Sequence, residues 1–165
     1  MNVRLFVVFA IPLLLLGGAV GGCTHGETDA VAETVDASEH AELALHMSRL
    51  QRWTHKTTLA MDAQNATLAG FYLHEMEESI ETIQDEAPTY EGHAVAELTE
   101  KMLVPSVEAL EEALDTRDWT AVDGALSDLE RACNQCHTTT EHGFVKVDLE
   151  DVPNPYAQDF SPDNP

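Results

Sequence analysis

Cys133, Cys136 and His137 fall in the run Cys133-Asn134-Gln135-Cys136-His137, a C-x-x-C-H spacing. Two thiols three residues apart can each form a thioether to a porphyrin vinyl group. The imidazole directly after the second thiol can then bind the iron axially, so the spacing reads as covalent attachment of haem c. On a helix these three positions are i, i+3 and i+4, and all three side chains share one face. A redox dithiol, a zinc site and a chance match are the competing readings. A thioredoxin-like dithiol needs a βαβ context, which this sequence lacks. Zinc wants four well-spread ligands, whereas Cys133, Cys136, His137 and His142 lack the long spacer that brings two ligand pairs together.

The elements that must position this motif begin with an export signal. Residues 1–22 carry Arg4 and then the short apolar stretch Leu5 to Leu16, which suits a signal peptide and is too short for a convincing membrane span. Val20-Gly21-Gly22-Cys23 resembles the lipobox of bacterial lipoproteins, and the resemblance implies lipidation of Cys23. Plain secretion with an incidental Cys23 is the other reading. Without residues 1–22 the chain keeps seven basic residues against 30 acidic ones, a net charge of about −23. That charge disfavours nucleic acid and anionic lipid headgroups as partners. It favours a redox partner protein with a basic face, and leaves membrane association to the lipid on Cys23.

Residues 23–37 read as a flexible tether, and residues 38–143 as helix nearly throughout. The first helix is predicted over residues 38–62, with Leu43, Met47, Leu50, Thr54, Thr57 and Met61 on its inner stripe. The second is predicted over 66–85, capped by Asn65, with Ala69, Tyr72, Met76, Ile80 and Ile83 inward. The third is predicted over 92–114 through Val95, Leu98, Met102, Ala109 and Ala113, kinked at Pro105. The fourth starts near Asp118, which can cap it, and its stripe Val122, Ala125, Leu126, Leu129 and Cys133 leads into the haem motif. The fold class expected is all-α: an up-down-up-down four-helix bundle with an irregular Pro-rich C-terminal tail over residues 144–165. The aromatic residues Phe144, Tyr156 and Phe160 suggest that this tail lies on the bundle.

A C-x-x-C-H on the last helix of a four-helix bundle resembles the cytochrome c-prime group, including its low-spin relatives with a methionine ligand. The resemblance covers residues 38–143 and implies a monohaem protein, with pairing of two copies through the first two helices as a family-level expectation. The N-terminal tether and the long tail depart from the compact family pattern.

In such a bundle the end of the fourth helix is level with the start of the first, the end of the second and the start of the third. This selects His40, His46, Met47 and His93 as residues at the height of His137. His55 stands about 13 Å further along the first helix, and His74 is similarly remote on the second. Met47 lies on the inner stripe and has two readings, sixth iron ligand and flexible core filler. Arg49 and Arg52, with Lys56, are scarce cations near the expected haem level. They read either as contacts to the haem propionates or as an ordinary solvated ridge.

No catalytic triad, phosphate loop or di-iron motif is present, so no enzyme activity is expected. The function expected is periplasmic electron transfer by a lipid-anchored monohaem c-type cytochrome. One alternative is a five-coordinate haem protein that binds or senses nitric oxide or carbon monoxide. The other is a haem subunit of a respiratory complex.

Overall fold

The computed structural model describes residues 27–162, with side chains from residue 42 onward. The signal segment 1–22 and Cys23 lie outside the described residues. Five α-helical pieces and one π turn make up the fold: α1 (Glu27–Asp62), α2 (Ala66–Glu86), α3 (Val95–Leu98), the π turn Thr99–Leu103, α4 (Val104–Thr116) and α5 (Trp119–Thr139). Among the described residues there is no strand, only an isolated bridge between Tyr90 and His93. The chain is therefore all-α, and none of its described helices is long and apolar enough to cross a membrane.

Helix starts follow from side chains that accept the unpaired N–H groups of a first turn. Asn65 accepts from the Leu68 amide, and Asp118 accepts from the amides of Thr120 and Ala121. At its C-terminal end α4 stops at Arg117, which adopts a left-handed φ of 55°. The first helix begins at Glu27, not near Ser38. Residues 27–37, expected as tether, are thus helical in backbone.

α1 packs along α2, α2 along α4, and α4 along α5, while α5 returns to the π turn and to α1. The core lies along this cycle. Every residue named for the inner stripe of α2 is buried, and so are Leu43, Leu50, Thr54, Thr57 and Met61 of α1. Each large aliphatic side chain so removed from water contributes about 1.5–3 kcal/mol.

The third predicted helix departs from expectation in phase. The structure buries Val95 as expected, but then Thr99, Leu103, Leu110 and Leu114, each one position after the predicted Leu98, Met102, Ala109 and Ala113. Val95 to Thr99 is an ordinary i,i+4 step, and from Thr99 onward the π turn keeps the buried face one residue late. The Val104 amide bonds to the Thr99 carbonyl, an i to i−5 link that absorbs one extra residue and rotates all that follows. Pro105, just downstream, has no N–H to donate and crowds the carbonyl four residues back, so a regular α-helix is locally costly there.

Among the described residues 140–162 there is no helix or strand, yet the segment is tied down. Phe160 is buried against Tyr72, with ring centroids 6.2 Å apart. Asn65, besides capping α2, donates to the carbonyls of Phe160 and Ser161. Tyr156 is half-buried, whereas Phe144, expected to lie on the helices, is 78 % exposed.

Candidate functional site

α5 presents Cys133, Cys136 and His137 on one face because their spacing is that of a helical turn. All three line a single cavity of about 600 Å³, within the range of small-molecule and cofactor sites. The facing wall is α1, through Leu43, Ala44, Met47, Leu50, Gln51, Thr54 and His55. Val95, Thr99 and Leu103 close one side, Thr99 and Leu103 being the two ends of the π turn. Residues 145–149 with Val152 and Pro153 form the remaining side. The tail is thus a strap across the cavity, a role that its composition did not announce.

Hydrogen bonds explain why the strap runs there. The Asn134 side chain, inside the C-x-x-C-H run, donates to the Val147 carbonyl at 2.9 Å and accepts from the Val147 amide at 2.8 Å. A carboxamide pairs both polar groups of one residue in this way. Glu130 accepts from the Leu149 amide. Farther along, His55 Nε2 donates to the Pro153 carbonyl at 2.8 Å, which leaves Nδ1 to accept from the Tyr156 hydroxyl at 3.1 Å. Lys56 donates to Gln158.

The state of His137 follows from its partner. Nδ1 lies 2.8 Å from the Val145 carbonyl. A carbonyl only accepts, so Nδ1 carries the proton and, in the neutral ring, Nε2 keeps its lone pair. This is the arrangement by which a neighbouring acceptor fixes the tautomer and ring orientation of a histidine. Cys133 and Cys136 are both free thiols. Burial, then the neighbouring Cys136, pushes the Cys133 thiol up to about 11, and burial raises Cys136 as well. Both are protonated thiols at neutral pH, unlike the lowered thiolate of a redox dithiol.

Met47 is half-buried, packs against the core and lines the cavity opposite the motif. His46 and His93 do not line it. His46 is buried, its Nε2 3.3 Å from a Glu86 carboxylate oxygen, and the side chain of His40 lies outside the described residues. His55, judged remote by helical rise, does reach the cavity, but both its ring nitrogens are engaged as above.

Arg49 and Arg52 are likewise not lining residues. Arg52 sits over the Trp53 ring at 4.3 Å, and Lys56 lies over the rings of Tyr72 and Tyr156. The lysine or arginine that does line the cavity is Lys146, on the strap. His142 also lines it, with Nδ1 2.6 Å from the Thr140 carbonyl and its ring between those of Tyr90 and Phe144. Periodicity could not have found Lys146, since the strap has no repeat. The signal, in hindsight, was the presence of Val145, Val147, Leu149 and Val152 so soon after the motif.

No protein-family model, characterised protein or solved structure matches the chain.

Proposed function

We propose that the chain is a monohaem c-type cytochrome that serves as an electron carrier, with haem c attached through Cys133 and Cys136 and its iron ligated by His137. The observation that carries this reading is one cavity that gathers both thiols, a histidine with Nε2 left basic, and largely aliphatic walls. Thiols that are protonated and close together suit thioether formation at two vinyl groups, and His137 adds the axial donor. Haem, when bound, supplies one-electron chemistry at iron.

The chain's own residues do the rest. Val145 holds the imidazole of His137 in one tautomer. Leu43, Leu50, Val95 and Leu103 keep water from the site and lower its polarity, which tunes a potential. Met47 is the side chain on the α1 wall with a thioether to offer as sixth ligand. Lys146 offers charge for a propionate. The finer architecture in this reading is an up-down-up-down four-helix bundle of the cytochrome c-prime type, closed by the tail. Lipid attachment at Cys23, a place facing the periplasm and a partner with a basic face belong to the same proposal, supported by the N-terminal pattern and by the charge of about −23.

The test is the visible spectrum of the matured protein, ferric and ferrous, for wild type and Met47→Ala. A low-spin spectrum with the long-wavelength ferric band of methionine ligation, lost in Met47→Ala together with a fall in reduction potential, is expected. A high-spin wild-type spectrum that responds to carbon monoxide would replace the carrier by the gas-binding reading. Absence of covalently bound haem would remove both.

A further inference from the structure

Outside the cavity, His46 is a buried polar side chain without an obvious duty. It is 4 % exposed and neither ring nitrogen makes a hydrogen bond. An imidazole so placed has lost its water and gained no hydrogen bond, only the nearby Glu86 carboxylate, an arrangement that native interiors rarely leave unexplained. Its surroundings supply two carboxylates. Glu42 precedes it by one helical turn on α1 and shares its face, and Glu86, the last residue of α2, approaches from across the helix pair. One ligand atom from each of the three lies within 4.8 Å of the others.

We propose that Glu42, His46 and Glu86 form a site for one divalent transition-metal cation of the zinc class, at the junction of α1 with the end of α2. The separation of His46 and Glu86 is the geometric argument. Nε2 and the carboxylate oxygen are 3.3 Å apart without forming a hydrogen bond. Nitrogen and oxygen ligands at ~2.0–2.2 Å from a tetrahedral cation stand ~3.3–3.5 Å apart, so the pair already has the spacing of two ligands on one ion. One histidine with two carboxylates suits zinc and its neighbours better than calcium or magnesium, which take oxygen ligands alone. Both carboxylates are exposed, so a fourth position faces solvent and water can fill it. The overall acidity of the chain raises the local concentration of any cation. None of this depends on the haem reading.

The probe is zinc chloride, titrated calorimetrically into the purified full chain as matured in its host. Wild type should bind one equivalent ahead of the weak background from surface acids. Glu42→Gln with Glu86→Gln, both at exposed positions and therefore compatible with folding, should weaken that step at least ~10-fold, and His46→Ala should abolish it. Excess magnesium should not displace the zinc. The exposed His74, whose ring nitrogens face Glu77 and Glu78, is the control, and His74→Ala should leave the step intact. The site is overturned if wild type shows no step above background, if the double glutamine variant binds as wild type does, if magnesium competes, or if the step is lost with His74.

Discussion

Replacing Asn134 by alanine leaves the two thiols and His137 untouched and removes the clamp on the strap. Both bonds of the carboxamide go to the Val147 backbone, at 2.9 and 2.8 Å, across 13 positions of sequence. A typical intramolecular hydrogen bond contributes about 0.5–1.5 kcal/mol net, so the pair is worth about 1–3 kcal/mol to strap closure. The half-buried setting allows water to satisfy Val147 in the variant, which places the result toward the lower half of that range. Since 1.4 kcal/mol is a factor of ten, opening should become ~5- to 30-fold more frequent. The reporter is not Val147, whose amide loses its acceptor directly, but Leu149, whose amide is held by Glu130 and does not touch Asn134. Faster hydrogen exchange at Leu149 is the expected outcome. Exchange at Leu149 within twofold of wild type, and global stability within ~0.3 kcal/mol, would refute the claim that Asn134 holds the strap.

Phe160→Ala should cost about 1–3 kcal/mol in urea unfolding. That is below the ~3–5 kcal/mol of a fully enclosed phenylalanine, because a segment without helix or strand can detach instead of keeping a cavity; limited proteolysis should then cut within residues 140–162 faster. Asp62→Asn should raise the melting temperature at pH 7 and leave it unchanged near pH 3. Burial, then the charges of Asp123 and Asp151, raise the Asp62 carboxyl above its ordinary value. The unfolded chain therefore loses this proton first as pH rises, so the native state is penalised at neutral pH and the penalty is absent below the unfolded value. An equal melting temperature for the two proteins at pH 7 would contradict this.

The parts of the fold that the sequence displayed are those with local physical causes. Asn65 and Asp118 cap the helices they were expected to cap, since capping needs only a short polar side chain and the next three amides. The apolar stripe through Leu126 and Leu129 leads to Cys133 as its spacing implied. The third helix shows the limit. Leu98, Met102, Ala109 and Ala113 keep good helical spacing, but a π turn costs one residue of phase, and no pattern of period 3.6 records it. His55, remote from His46 by helical rise, still lines the cavity because the cavity extends along a little over three turns of α1 from Leu43, about 18 Å. The aromatic residues Tyr156 and Phe160 marked the tail as lying on the helices, but its course past the cavity was not legible, because the bonds of Asn134 and Glu130 that fix it join side chains to irregular backbone, where no periodicity exists to be read.

The strap also bears on the order in which the molecule assembles. Its contacts with the first helix join positions 98 to 102 residues apart, as in His55 with Pro153, Tyr156 with His55 by 101, and Lys56 with Gln158. Contacts between residues so distant carry the largest loop-closure entropy and form late. The helices can therefore collapse first into an open trough, with the thiols of α5 still facing solvent along one side. Any flat, bulky guest that must react with Cys133 and Cys136 has its access during that interval, before the last stretch of chain is laid across the opening.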